Sequence, residues 1–259
     1  MTRHPKAWRA AADLATVANA LSGIGAVLYI LAGNKPFGLF LILAGVGWDG
    51  LDGFFSRRAG GSGTTFGRVA DSCADAITFC LAPGAAIAFD LYPRSVWAPW
   101  DLAALVVGGA VAAVGIARLV YFTLVAYKRH HFSGASTPQN AMWVILLVLL
   151  FQRPGFLVES PPLFLLLAAA FVPLMVLPVR YPKLRRGAPL RRVTAIMATA
   201  LSGALIAVNL QPFLGTPAFL LAYVATALSA GLLLFFYLAG PFVTPKESEV
   251  PSHESTPAA

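Results

Sequence analysis

Long apolar stretches, separated by short polar segments, recur along almost the whole chain. A helix needs about 20 apolar residues to cross the ~30 Å hydrocarbon core of a bilayer. With 58% hydrophobic and 12% charged residues and a mean hydropathy of +0.73, the 259-residue chain is too apolar for a soluble globular domain. The sequence therefore predicts an all-α, polytopic membrane protein. Its candidate transmembrane helices number about eight, at about 16–32, 36–56, 67–91, 100–127, 139–152, 162–179, 193–210 and 216–239.

The lysines and arginines fall mainly on one side of this layout. If the N-terminus is cytoplasmic, 15 of the 19 lie in cytoplasmic segments, 3 lie on the opposite side, and Arg118 falls within the fourth span. Because cytoplasmic loops are enriched in Lys and Arg, we expect a protein of the cell (inner, cytoplasmic) membrane with both termini in the cytoplasm. Topology and attraction to anionic membrane lipids account for the net charge of +8, so nucleic-acid binding is not expected.

The chain divides into one membrane domain, residues 1–243, and a tail, residues 244–259. Residues 1–15 mix basic residues, alanines and Trp8, which suits either a helix lying in the membrane interface or a frayed terminus. The tail is polar and contains Pro and Ser, so we expect it to be disordered.

Four of the eleven acidic residues lie in the second and third spans or at their cytoplasmic ends: Asp49, Asp52, Asp71 and Asp75. An ionised carboxylate in the membrane is costly unless it is compensated, so such residues are functional candidates. The first two are spaced i, i+3 and the last two i, i+4, which places each pair on one face of its helix. The connection from Arg57 to Phe66 is short, so the two helices form an antiparallel hairpin and the pairs can face each other.

Four converging carboxylates would repel one another, and divalent cations remove the conflict. Mg²⁺ and Mn²⁺ prefer hard oxygen ligands, and two such ions shared among four aspartates suit phosphoryl chemistry. Among the acids, Gly53 and Gly67 allow either close approach of a ligand to the backbone or close helix packing. Arg57 offers a fork of donors for a phosphate or a nucleotide carbonyl.

At these positions the sequence resembles the CDP-alcohol phosphatidyltransferases, whose pattern is D-x2-D-G-x2-A-R-x8-G-x3-D-x3-D. Two departures appear: Ser56 replaces the alanine, and the gap after Arg57 is one residue longer. The resemblance implies that an alcohol hydroxyl attacks the lipid-side phosphorus of CDP-diacylglycerol and that CMP leaves. It implies a cytoplasm-facing site, two divalent cations and a homodimer.

The resemblance also implies roles for individual residues. The metal ligands would be Asp49, Asp52, Asp71 and Asp75, and Asp75 would also be the general base for the incoming hydroxyl. The residues around the CDP moiety would be Gly53, Ser56, Arg57 and Gly67.

The acceptor alcohol is indicated by two further similarities. Residues 66–84 look like the phosphatidylserine synthase branch of the family, which reads FG-x3-DS-x-AD-x3-F-x2-AP. The element Arg118-Leu119 with Phe122 is similar to an RL-x2-F element of the same branch. We therefore expect L-serine as the acceptor. Glycerol 3-phosphate, inositol phosphate or another small alcohol stays open.

Two polar residues within spans each have two interpretations. Arg118 either binds the carboxylate or phosphate of the acceptor, or it snorkels to the headgroups or pairs with a motif aspartate. Asn19 in the first span either faces the site or makes a hydrogen bond between helices.

Two other classes of protein remain as alternatives. A cation transporter could use the aspartates to coordinate its ion, although the later spans contain no second acidic cluster. A membrane phosphatase or pyrophosphatase could use the same metals.

Overall fold

The computed structural model describes residues 5–60, 64–89, 91, 98–126, 132–133, 136–151, 160–176 and 180–181, with Val224 and Leu228 singly. Within these ranges the chain is helical apart from one short strand pair. The helices are α1 (Pro5–Leu31), α2 (Lys35–Arg58), α3 (Thr65–Asp75), α4 (Ala82–Ala88), α5 (Asp101–Tyr121), α6 (Thr137–Phe151) and α7 (Pro161–Val176).

Three irregular turns and one strand pair complete the described structure. A π-helical turn, Ala76–Leu81, joins α3 to α4, and a second, Phe122–Ala126, extends α5. A 3₁₀ turn, Ala98–Trp100, precedes α5. Strands β1 (Phe132–Ser133) and β2 (Arg180–Tyr181) pair antiparallel, which brings the segment after α5 next to the segment after α7.

The helices coincide with the first six predicted spans. Three of them, Pro5–Leu31, Lys35–Arg58 and Ala98–Leu124, are long and apolar enough to cross a membrane. The third predicted span corresponds to α3, the π turn and α4 in succession, and α6 and α7 are shorter apolar helices. Apart from Val224 and Leu228, the spans predicted at 193–210 and 216–239 and the tail at 244–259 lie outside the described residues, so the count of eight stays a prediction.

Helix α1 turns its small residues inward and its large apolar residues outward. Six residues of its inner face are buried: Ala12, Ala15, Asn19, Gly23, Ala26 and Ile30. Its outer face exposes seven large apolar side chains by 43–70%: Leu14, Val17, Leu21, Ile24, Leu28, Tyr29 and Leu31. Small residues let helix backbones approach closely in a membrane, while large apolar residues face lipid. Helix α1 is continuous from Pro5, and the placement of residues 1–15 in the membrane interface stays a prediction.

Local signals define the α1–α2–α3 hairpins. Gly33 adopts a φ of 81° after α1, and the Asn34 side chain accepts a hydrogen bond from the Phe37 amide to cap α2. Gly60 adopts a φ of 106° after α2, and the Thr64 side chain accepts from the Gly67 amide at 3.0 Å to cap α3. Positive φ favours glycine, and a side-chain oxygen satisfies an orphan amide at a helix start. The second turn places the C-terminal end of α2 beside the start of α3.

The π turn between α3 and α4 has a cause in the sequence. The amide of Ala82 donates to the carbonyl of Ile77, five residues back, rather than to the residue four back. Pro83 follows at once; it has no amide hydrogen, and its ring would clash with the carbonyl four residues before it in a regular helix. The wider turn relieves that clash, and π turns occur frequently at functional sites. Asp75 is the last α-helical residue before this turn.

Glycines let α5 pack closely against α4 and the π turn before it. A Cβ on Gly84 would lie 2.6 Å from the carbonyl oxygen of Gly108, so the two backbones are in direct contact. Two turns further along α5, a Cβ on Gly115 would lie 2.7 Å from the Cys80 sulfur. This close approach fixes the depth of α5 relative to α3 and α4.

Candidate active site

Three of the four motif aspartates converge between α2 and α3. One carboxylate oxygen from each of Asp49, Asp71 and Asp75 can be chosen so that all lie within 4.8 Å of one another. Asp49 comes from α2, and the other two are one turn apart on α3. All three side chains are partly buried. The predicted facing of the two helix pairs is therefore found in the structure.

The fourth aspartate, Asp52, lies beside Asp71 and accepts a hydrogen bond from a residue of α1. Its carboxyl group is close enough to that of Asp71 for a side-chain interaction. The Thr16 hydroxyl donates a 2.7 Å hydrogen bond to Asp52 Oδ2. Helix α1 thus contacts a motif residue of α2 directly.

Asp75 receives a hydrogen bond from the same face of α1. The amide nitrogen of Asn19, a residue with no exposed surface, donates to Asp75 Oδ1 at 2.9 Å. The Thr78 hydroxyl donates to the Asn19 carbonyl at 2.9 Å, which joins α1 to the π turn. Gly23 and Gly45 make room for this contact, because a Cβ on either would overlap Thr78. The interhelical and the site-facing interpretations of Asn19 therefore both describe the observed contact.

A cavity of about 260 Å³ opens beside the aspartates. Helices α1, α2 and α3 and the turn between α2 and α3 line it. Its described lining residues are Arg9, Ala12, Asp13, Thr16, Asp49, Asp52, Gly53, Ser56, Ala59, Thr64, Gly67, Arg68 and Asp71. Aspartates and two arginines in the same lining give it mixed charge, which suits a ligand with anionic groups and bound cations.

Three of the four residues predicted around the nucleotide line this cavity: Gly53, Ser56 and Gly67. The fourth, Arg57, is exposed, and its Nη1 lies 3.1 Å from the position that a Cβ on Gly53 would occupy. A side chain at position 53 would therefore crowd the guanidinium. A side chain at position 67 would meet the Thr64 hydroxyl at 3.3 Å.

Arg118 lies at the depth of Asp75 but is not among the described residues that line the cavity. On α5 and its extension it falls between Gly115, which contacts Cys80, and Thr123, whose hydroxyl is 2.6 Å from that of Ser72. Its Nε donates to the carbonyl of Met175 on α7 at 3.1 Å. The guanidinium is therefore anchored to α7 on one edge.

Comparison with known proteins identifies the family. The sequence profile of the CDP-alcohol phosphatidyltransferases matches residues 9–237, nearly the whole chain. The chain belongs to this family. It is also similar to the archaetidylserine synthase of Methanothermobacter thermautotrophicus, with 29% identity over 172 residues that cover 66% of this chain and 69% of that protein. The resemblance inferred from the motif is confirmed.

Membership in the CDP-alcohol phosphatidyltransferase family also confirms the predicted class of activity. The protein is a membrane transferase of phospholipid synthesis, which moves a lipid phosphate group between head groups. The transporter and phosphatase alternatives are not needed to explain the acidic cluster.

The donor set fits the divalent metal on which CDP-alcohol phosphatidyltransferases depend. Ligand oxygens of an octahedral Mg²⁺ lie about 2.9 to about 4.2 Å apart. The three carboxylate oxygens all lie within 4.8 Å of one another, so small movements would bring them around one ion. Carboxylates this close and partly buried repel one another unless a cation or donors compensate them. Thr16 and Asn19 supply one donor each, which leaves most of the negative charge for a cation.

Several residues that line the cavity lie outside the family motif, among them Arg9, Thr16 and Arg68. Thr16 was not singled out at all, although it stands three residues before Asn19 and therefore on the same face of the first span. Arg68, which lines the cavity, was counted only as a cytoplasmic charge. Thr16 and Arg68 are both polar, but polarity alone does not show which face of a helix packs against the site.

Proposed function

We propose that this transferase moves the phosphatidyl group of CDP-diacylglycerol to the hydroxyl of L-serine. The serine oxygen would form a bond to the lipid-side phosphorus, the bond from that phosphorus to the bridging oxygen would break, and CMP would leave with the electron pair. The observation that carries this proposal is the convergence of Asp49, Asp71 and Asp75 beside a cavity lined by Gly53 and Gly67. The similar archaetidylserine synthase supports serine as the acceptor.

The nucleotide would bind in the cavity beside the aspartates. Gly53 and Gly67 leave space for the CDP moiety, and Ser56 contributes a hydroxyl at the same wall. Arg57 would move its fork of donors from Gly53 onto the pyrophosphate or the cytosine carbonyl. Arg9 and Arg68 would add positive charge around the phosphates.

The four aspartates, Asp49, Asp52, Asp71 and Asp75, would hold two divalent ions, Mg²⁺ or Mn²⁺. When bound, these ions neutralise the pyrophosphate and the charge that develops on the leaving CMP. Asp75 lies deepest along α3, next to the π turn. We assign it the additional role of general base, accepting the serine hydroxyl proton on a carboxylate oxygen as the new bond forms.

Recognition of the serine carboxylate is assigned to Arg118. Its depth matches that of Asp75, so an acceptor with its hydroxyl at Asp75 could reach the guanidinium with its carboxylate. The hydrogen bond to Met175 would fix the orientation of Arg118. A charge-assisted pair of this kind discriminates serine from alcohols that lack an anionic group, such as inositol and choline.

The setting of the reaction follows the sequence expectations. The protein would be a homodimer of the cell (inner, cytoplasmic) membrane, with about eight spans in a domain covering residues 1–243. Both termini would be cytoplasmic, because 15 of 19 basic residues then lie on that side. The site would open to the cytoplasm, where polar alcohols are available.

The test is CMP release by purified protein in detergent with Mn²⁺ or Mg²⁺. CDP-diacylglycerol and its archaeal diether counterpart would each be offered with serine, glycerol 3-phosphate, inositol phosphate, inositol or choline. We expect release only with serine, its loss in Asp75→Asn, and a higher KM for serine in Arg118→Lys. Release with another alcohol would overturn the choice of acceptor, and no release with any alcohol would overturn the proposed reaction.

A further inference from the structure

We infer that Thr16 and Asn19 of α1 are positioning residues for the metal site, each orienting one motif aspartate. This inference rests on the proposed metal-binding role of those aspartates. Neither residue belongs to the family motif on α2 and α3. Their spacing of i, i+3 places both on the buried face of α1.

The Thr16 hydroxyl is committed to the carboxylate of Asp52. A hydroxyl has one proton, and two acceptors lie near it: Asp52 Oδ2 at 2.7 Å and the carbonyl of Ala12 at 3.2 Å. Hydrogen bonds to an ionised acceptor are shorter and stronger than those to a neutral carbonyl. The shorter distance identifies Asp52 as the principal acceptor, and the bond engages only one of the two oxygens of that carboxylate.

Asn19 is committed to Asp75 in the same way. Only its NH₂ group can donate to a carboxylate, which fixes the orientation of the amide. Its Oδ1 is buried without a hydrogen-bond partner in the described part of the chain. Because burial of an unsatisfied oxygen is unfavourable, the oxygen end of the amide does not stabilise this contact. Its contribution is the bond to Asp75 Oδ1, which leaves Oδ2 for a metal ion or the acceptor.

The two contacts have one consequence for the site. Helix α1 holds one carboxylate from α2 and one from α3, so it sets the orientation of both halves of the ligand set. Hydrogen bonds behind the ligands orient them and typically change metal affinity by about 10–100-fold when they are removed. The same hydrogen bonds limit carboxylate repulsion before the metal binds.

The test measures Mn²⁺ binding by calorimetry on the full-length protein in detergent, without substrates. We expect Thr16→Val and Asn19→Leu each to weaken Mn²⁺ binding by about 10–100-fold. Thr16→Ser, which keeps the hydroxyl, should restore affinity close to that of the wild type. The matched control is Thr123→Val, which removes a 2.6 Å hydroxyl contact with Ser72 that involves no carboxylate. It should leave Mn²⁺ affinity unchanged.

Thermal unfolding without metal, read together with Mn²⁺ affinity, separates positioning from a purely structural role. Loss of either hydrogen bond lowers the unfolding temperature in both cases. Positioning also predicts weaker Mn²⁺ binding, whereas a purely structural role predicts unchanged affinity. If Asn19→Leu fails to fold, Thr16→Val at the cavity wall still decides the question. Wild-type Mn²⁺ affinity in Thr16→Val, or equal weakening in Thr123→Val, would overturn the inference.

The outcome is distinguishable from a failure of the proposed reaction. Wild-type protein that binds Mn²⁺ but releases no CMP would refute the reaction and leave the positioning role of Thr16 and Asn19 intact. CMP release by wild-type protein, combined with unchanged Mn²⁺ affinity in both α1 variants, would refute the positioning role alone.

Discussion

A single methyl group at Gly23, one turn from Asn19 on the inner face of α1, should disturb the site. A Cβ there would lie 2.8 Å from both the backbone nitrogen and the Cα of Thr78. Those atoms belong to the π turn and cannot move away by rotation of a side chain. The helices must therefore separate by about 0.6 Å to reach the 3.4 Å at which ordinary contact begins.

The expected magnitude follows from the Asn19–Asp75 hydrogen bond. A separation of about 0.6 Å would stretch it from 2.9 Å to about 3.5 Å, beyond the usual range for an N–H···O bond. We expect Gly23→Ala to weaken Mn²⁺ binding by about 10-fold or more. Overpacking costs about 1–3 kcal/mol. The higher helix propensity of alanine offsets about 1 kcal/mol of that in the free energy of unfolding.

Gly25→Ala is the matched control, two residues along the same helix. A Cβ at position 25 meets only the Cδ1 atom of Leu41, at 3.1 Å, and that flexible side-chain end can move. Mn²⁺ affinity from calorimetry and the rate of CMP release would be measured for both variants. Gly23→Ala with wild-type affinity and rate would refute the argument that close backbone approach delivers Asn19 to Asp75.

Three further predictions concern packing and metal. Gly84→Ala should lower the free energy of unfolding by about 1–3 kcal/mol, because its Cβ would lie 2.6 Å from the Gly108 carbonyl. The control Gly109→Ala should not lower it, because nothing lies within 4 Å of a Cβ there. Equal shifts in unfolding temperature for the two variants would contradict this. Arg58→Ala should cost about 1 kcal/mol by thermal unfolding, because its guanidinium lies 4.6 Å from the Phe54 ring centre and 5.2 Å from that of Trp8. An unchanged unfolding temperature would show that these contacts contribute nothing. Chelation with EDTA should abolish CMP release. It should also remove the stabilisation of the folded protein by Mn²⁺, about 2.7 kcal/mol when the Mn²⁺ concentration is 100 times Kd. An unfolding temperature that does not change with Mn²⁺ would count against a metal at the aspartates.

The pairing of the acids was predictable because it depends on spacing alone. Residues three or four apart share a helix face, and the short connection after Arg57 forces the two helices to be antiparallel. Those facts bring Asp49 close to Asp71 and Asp75 whatever the rest of the chain does. The family followed from the same residues.

The role of α1 was harder to predict, because it depends on which helices touch. Thr16 and Asn19 are polar residues in an apolar span, and their partners are 36 and 56 residues away in the sequence. Arg118 has the same difficulty: its anchor, the Met175 carbonyl, is a backbone group that leaves no trace in a sequence pattern. The π turn follows from Pro83 only once the helix is known to continue through it.

The π turn after Asp75 separates the segment that directs the aspartates toward the site from the segment that packs Gly84 against α5. Each residue advances an α-helix by about 100°, so an uninterrupted helix would tie the direction of Asp71 and Asp75 to that of Gly84, which follows them by thirteen and nine residues. The wider turn resets this angular relation between them. The direction of the aspartates toward the cavity and the direction of Gly84 toward α5 are therefore set by two separate helical segments, with the π turn between them.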